Sequence, residues 1–346
     1  MQTYDHFFKV QNKFVILCFG MKIFEITFLL FIIIACKPTE NSHENHQSGN
    51  PSKEKKLINA PEFSADSAYE WIKKQLSFGP RVPGTNAHQK CREWLVQKFK
   101  SYGAEVHVQK AKIKTYNGRE IEISNIIARY GVEKPKRVML SAHWDTRPFA
   151  DEDSVRQSEP ILGANDAASG VAILIEMARH LQNQSTHIGI DIFLWDAEDM
   201  GNSEVEDSYC LGSQYWAKNI YPPNYRAVYG INLDMVGAKN AQFPQESISQ
   251  KYAQGILDKV WQTAHQIGYG AYFIYQVSAP ITDDHYYINK IAGIPMIDII
   301  HKDITKDHFF EQWHTHGDNL DVIDKNTLKA VGQTLLQVIY NEPPEL

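Results

Sequence analysis

Acidic and imidazole-bearing residues recur where apolar, strand-like runs of the sequence end. After the run 138–142 comes His143-Trp144-Asp145, and 190–194 is followed by Asp196-Ala197-Glu198-Asp199. The run 229–233 ends on Asp234, and the turn Gly163-Ala164-Asn165-Asp166 leads into the small-residue stretch Ala167-Ala168-Ser169-Gly170. Thr282-Asp283-Asp284-His285 opens a further helix, and Trp313-His314-Thr315 lies in the loop after the last strand. Taken singly, each has an ordinary structural use: an Asp at a helix start is a cap, Glu198 and Asp199 suit a solvated loop, and His314 suits a satisfied core position. Taken together they imply chemistry. Carboxylates that converge on one sheet edge repel one another and retain protons unless a cation compensates them. A divalent metal bound by carboxylates and imidazole meets that need, and Zn²⁺ suits an oxygen and nitrogen donor set. The adjacent acids Glu198 and Asp199 then divide the labour, one binding metal while the other faces the substrate and moves protons.

The elements that must position these groups follow from periodicity. Helical spacing of apolar residues covers 65–76, 88–102, 170–182, 249–267 and 328–340, and strand-like runs cover 105–114, 120–129, 137–142, 189–194, 227–233 and 296–300. The first two strands, joined through Asn117-Gly118, read as an antiparallel hairpin. The later ones alternate with helices and are apolar throughout, as parallel strands covered on both faces are. The expected fold is a single-domain three-layer α/β/α architecture with a mixed, mostly parallel central sheet flanked by helices. In open sheets of this kind, sites gather beyond the carboxyl ends of the strands, where the acids lie.

The chain has 346 residues, 43% hydrophobic and 22% charged, ordinary values for a globular protein. At roughly 100–200 residues per domain, the length admits two domains or one large α/β domain. A formal charge of -6 supplies no basic field to hold nucleic acid. Aromatic residues reach 12%, with 17 Tyr and 7 Trp, and hint at a site that grips something flat or apolar. From Met21 the sequence reads MKIFEITFLLFIIIAC, with an apolar run 26–35 too short to cross a bilayer of roughly 30 Å as a helix. Ile33-Ile34-Ala35-Cys36 looks like a bacterial lipobox, in which the Cys thiol is lipidated and becomes the first residue after cleavage. Residues 1–35 are therefore expected to be a signal region with its true start at Met21, and the chain to be anchored by Cys36 to a bacterial envelope membrane. Residues 37–58 contain almost no large apolar side chains and should form a disordered polar tether in which His43 and His46 are solvated. The catalytic domain then spans 59–346. Apart from Cys18 and Cys36, the cysteines are Cys91 and Cys210, which either pair or remain as two buried thiols.

This ordered set (H-x-D, a Gly-rich turn with Asp, a pair of acids, a later Asp, a late His-Thr) resembles the zinc-exopeptidase, or aminopeptidase-like, superfamily over nearly the whole body of the chain. Within it the details look like glutaminyl-peptide cyclotransferases. Those details are Phe78-Gly79-Pro80-Arg81-Val82-Pro83-Gly84-Thr85, Leu233-Asp234-Met235-Val236-Gly237-Ala238, Asp283-Asp284-His285 and, above all, Trp313 directly before His314. The resemblance implies one zinc per chain, held by Asp166, Asp199 and His314, with Glu198 shuttling a proton from the substrate's α-amine to departing ammonia. It implies that Asp234 and Asp283 share a short hydrogen bond and orient the amine. Trp313 and Phe309 would be pocket walls, with Ile281 and Thr282 beside the acidic pair. The expected partners are peptides and proteins beginning with Gln, acted on by a monomer.

The sequence departs from the animal enzymes of this group in several places. Asp199 stands where they carry Glu, the aromatic after their acid pair is absent from 200–204, no Cys pair flanks 143–166, and the acid-rich segment 202–209 has no evident role. Two other readings use the same residues. In a two-zinc aminopeptidase His143 and Asp234 would bind a second metal, Asp166 would bridge and Glu198 would activate water. A catalytically silent, lipid-anchored peptide-binding module would be expected to have lost an acid at Asp166, Glu198 or Asp199, and all three are present.

Overall fold

The computed structural model describes residues 58–306 and 308–344, which belong to one compact unit, Lys55–Leu346. The expected signal region, Cys36 and all of the tether except Ile58 lie outside the described residues. Strands β1 (Glu105–Lys114), β2 (Glu120–Tyr130), β3 (Arg137–His143), β4 (Gly189–Trp195), β5 (Tyr229–Asp234) and β8 (Met296–Ile300) form a six-stranded sheet in the order β1-β2-β4-β3-β5-β8. The β1–β2 hairpin and the β2–β4 pair are antiparallel, and β4, β3, β5 and β8 run parallel.

Alternation along the strands creates the layers. Val138, Leu140 and Ala142 of β3, with Ile190, Ile192 and Leu194 of β4, pack into the larger core. That core is completed by helices α1 (Ala65–Leu76), α2 (Asn86–Ser101), α3 (Ala168–Asn183), α5 (Ser247–Gln266) and α7 (Lys325–Tyr340). The intervening Met139, Phe193 and Trp195 point to the other face. There they meet α4 (Leu211–Lys218) and the turn Ile288–Ala292, which follows the short helix α6 (Asp284–Tyr287). Because both faces are covered, β3 and β4 are buried along their whole length, and their hydrophobic runs read as continuous rather than alternating.

Helix starts fall upstream of the expected ones where a polar side chain caps the first turn. The Thr85 side chain accepts from His88 N and α2 begins at Asn86. Glu246 accepts from Ile248 N and Ser249 N, and α5 begins at Ser247; Asp324 accepts from Asn326 N, and α7 begins at Lys325. Capping sets the start, while the apolar face that periodicity detects begins a turn later. Three further elements were not expected: α4, and the parallel pair β6 (Phe243–Glu246) and β7 (Phe273–Ser278). α4 spans eight residues, too few for a periodic signal. β6 carries a proline, and the middle of β7 is exposed, so neither shows the pattern of a buried strand.

Candidate active site and metal centre

The loop after β4, the carboxyl end of β5, the turn before α3 and the loop after β8 meet at one pocket of about 450 Å³. All ten expected site residues within the described chain line it: Asp166, Glu198, Asp199, Asp234, Ile281, Thr282, Asp283, Phe309, Trp313 and His314.

Asp166 sits at the end of a pinned turn. The Asn165 and Asp166 amides donate to Asp318 at 2.8 and 3.1 Å, and Gly237 N donates to Asn165 Oδ1 at 2.8 Å. Gly163 has a left-handed φ of +61°, and a Cβ there would lie 2.2 Å from the Asp166 carbonyl, so only glycine closes the turn. The fully buried Arg81 braces it by donating to the carbonyls of Trp144 (3.2 Å), Leu162 (2.6 Å) and Gly163 (2.8 Å). This gives the Phe78–Thr85 stretch its purpose. Burial and the Asp166 charge push Asp318 up to about 8, against the amides it accepts from and Arg81.

The loop after β4 is fixed by Asp145, whose two oxygens accept the backbone N–H groups of Glu198 (3.0 Å) and Asp199 (3.2 Å). Asp199 thereby reaches His314, with Oδ1 3.2 Å from Nε2. The other His314 nitrogen lies 3.2 Å from Asp151, which also pairs with Arg147, and Arg147 donates to the Asp199 and Gly201 carbonyls at 2.9 Å each. An imidazole oriented by a carboxylate on its far nitrogen is the usual support for a metal-binding histidine.

Asp166, Asp199 and His314 each bring a ligand atom within 4.8 Å of the others, and all three are buried. Asp199 Oδ2 is buried without a hydrogen-bond partner, an acceptor that a cation would satisfy. Two carboxylates and an imidazole therefore fit a zinc site with a position left open. Burial disfavours the His314 imidazolium, but Asp199, Asp151 and Asp166 outweigh it and push the ring up to about 9. Burial would raise Asp199, but His314, Arg147 and His143 hold it below its ordinary value.

A second group shares Asp166. His143 Nε2 lies 3.0 Å from Asp166 Oδ1 and 3.2 Å from Asp234 Oδ1, so His143, Asp166 and Asp234 also gather as potential ligands. Burial, only partly offset by His143, lifts Asp234 to about 7, with Asp166 and Asp283 adding to the rise. Glu198, partly exposed to the pocket, is pushed well above its ordinary range by burial; His143 works against this, and Asp199, Asp283 and Asp284 add to it.

The two acids of the expected pair have further partners. Among the described residues Asp234 bonds to His143, while Asp283 accepts from Asn232 Nδ2 at 2.6 Å and from the Asp284 amide at 2.5 Å. The aromatic wall is present: Trp313 stacks on His314 with ring centroids 3.7 Å apart, and Phe309 packs on Trp313 at 4.9 Å. The aromatic absent from 200–204 is matched by others, since Tyr209, Tyr286 and Tyr287 line the pocket. The acid-rich 202–209 segment forms one side of it. Cys91 and Cys210 are buried thiols and do not pair.

Comparison with known proteins bears on the fold and the family. The family model for peptidase family M28 matches residues 125–339. The crystal structure of Bacteroides thetaiotaomicron glutaminyl cyclase bound to N-acetylhistamine superimposes with a TM-score of 0.81 and 49% identity, covering 82% of this chain and 100% of that one. A leucine aminopeptidase precursor from Bacteroides thetaiotaomicron VPI-5482 is similar too, with a TM-score of 0.80 and 48% identity over 83% of this chain and 100% of that one. Among curated proteins, aminopeptidase YwaD of Bacillus subtilis (strain 168) is 27% identical over 66% of this chain, and the match spans 46% of YwaD. The family match covers more than half of the chain, and the chain belongs to peptidase family M28.

Proposed function

We propose that the protein is a zinc-dependent glutaminyl-peptide cyclotransferase, converting an N-terminal Gln to pyroglutamate with release of ammonia. The observation that carries this reading is the single pocket in which the three candidate metal ligands meet Glu198, Asp234 and Asp283 under the Trp313–Phe309 wall. The 49% identity to a glutaminyl cyclase over that protein's full length supports it.

Zinc held by Asp166, Asp199 and His314 would polarise the γ-carbonyl and stabilise charge developing on its oxygen. The chain's own residues supply the rest. Trp313 and Phe309, with Ile281 and Thr282, confine the Gln side chain folded back on its own α-amine, which converts ring closure into a positioned intramolecular step. Glu198 takes a proton from the amine as its nitrogen bonds to the γ-carbon, and returns it to the amide nitrogen as the carbon–nitrogen bond breaks and ammonia leaves. Burial, which disfavours the Glu198 carboxylate, keeps the group ready to hold that proton. Asp234 and Asp283 accept from the amine and fix its direction.

One observation favours a second reading: His143, Asp166 and Asp234 form a ligand group beside the first, as a two-metal aminopeptidase requires. Metal content measured against activity separates the two. Cyclising activity that saturates at one zinc per chain is expected; a requirement for two, with release of free N-terminal residues, would favour the aminopeptidase.

For placement in the cell, Ile33-Ile34-Ala35-Cys36 supports a lipid anchor on a bacterial envelope membrane, with the domain carried on the polar tether as a monomer. Among the described residues no helix is long and apolar enough to cross a membrane. Cys36→Ser should move the full chain from the membrane fraction to the soluble fraction; a chain that stays with the membrane would contradict the anchor.

A further inference from the structure

Cys210 is fully buried and gathers with Glu198 and Asp283 as a group of potential ligand atoms apart from the two that share Asp166. Its Sγ lies 3.1 Å from Glu198 Oε1 and 4.0 Å from Asp283 Oδ1. The backbone places it there with a left-handed φ of +56°, a conformation that a side chain larger than glycine adopts only when its surroundings hold it. Here the Cys210 N–H donates to the Glu198 carbonyl at 2.8 Å, Leu211 N donates to the Ala197 carbonyl at 3.1 Å, and Ser213 Oγ and Gln214 N donate to the Cys210 carbonyl. The residue is therefore clamped to the Glu198 loop by main chain and side chain together. Burial, with the charges of Glu198, Asp284 and Asp283, pushes the thiol well above its ordinary value, so sulfur keeps its proton and acts as a donor. Asp283 Oδ1 already accepts from the Asp284 amide, and Glu198 is the nearer acceptor.

We propose that Cys210 is a positioning residue for the proton shuttle: its S–H donates to Glu198 Oε1 and locks the carboxyl so that Oε2 is the oxygen offered to the substrate. This rests on the reading of Glu198 as the shuttling acid. A carboxyl free to rotate would spend part of its time with neither oxygen aligned to the amine, so the loss falls on kcat and not on the binding of a Gln side chain held by the aromatic walls.

The test compares Cys210→Ala and Cys210→Ser with the parent on a Gln-initiated peptide. Cys210→Ala should lower kcat about tenfold with KM unchanged, the scale of one lost hydrogen bond to a charged group. Cys210→Ser keeps a donor and should recover most of that loss. In a Glu198→Gln background, Cys210→Ala should cost nothing further, because the group it orients no longer moves a proton. Equal losses in the Ala and Ser variants, or a rise in KM that tracks a fall in Tm, would show that Cys210 only fills space and would overturn the proposal. Parental kcat in Cys210→Ala, beside an inactive Glu198→Gln, would overturn the positioning role and leave the shuttle intact. A parent that does not cyclise Gln would overturn both.

Discussion

Glu198→Gln is expected to lower kcat on Gln-initiated peptides about 10²- to 10⁴-fold, the usual contribution of a positioned acid–base group. The substitution is nearly isosteric, and its amide can neither accept the amine proton nor deliver it to the leaving nitrogen. The Glu198 backbone remains tied to Asp145, so the loop that carries Asp199 keeps its place. Zinc content and KM should therefore stay near the parental values, and elemental analysis with steady-state kinetics checks both. A kcat within about threefold of the parent would remove Glu198 from the proton path.

His314→Ala is expected to lower zinc affinity by more than about 100-fold, because it removes a direct ligand and not merely the support of one. It leaves Asp166 and Asp199 facing each other without the imidazole, and cyclising activity should disappear at metal concentrations that saturate the parent. Chelator competition measures the affinity without relying on turnover. The parent should also show a pH dependence of defined sign. In the metal-free chain the imidazolium persists up to about 9, whereas a coordinating imidazole is deprotonated, so zinc must displace a proton. Affinity should climb about tenfold per pH unit between about 7 and 9 and then level off. A flat profile over that range would mean that His314 is not a ligand.

Much of this site was legible because open α/β sheets bring strand ends together and charge at those ends needs compensation. That ground gathered the acids and His314 into one metal-binding set, and the apolar runs of β3, β4 and β5 fixed where they would meet; the choice of Asp166, Asp199 and His314 as the ligands came from the resemblance to the zinc exopeptidases. The groups that hold the ligands left a weaker trace. Asp145 stands in the H-x-D element, but its work is to accept the Glu198 and Asp199 amides, a main-chain role that no side-chain pattern announces. Asp318 looks like any loop acid until the Asn165 and Asp166 amides are seen to converge on it. The 202–209 segment offered no role in the sequence; residues 203–207 are exposed, yet the segment lines the pocket with Tyr209 half-buried in it. Cys210 was invisible: its contact with Glu198 depends on a left-handed φ of +56° that a cysteine does not advertise. The further partners of Asp283, Asn232 and the Asp284 amide, were not legible either, because donors that converge on a buried carboxylate are brought together only in three dimensions.

The central claim is most directly tested by incubating the protein with otherwise identical peptides beginning with Gln and with Leu, and reading product masses. Loss of one ammonia from the Gln peptide, with the Leu peptide unchanged, is the result expected of a cyclotransferase. Release of free Leu or Gln, with the remaining peptide shortened by one residue, would contradict it and make His143 and Asp234 ligands of a second metal.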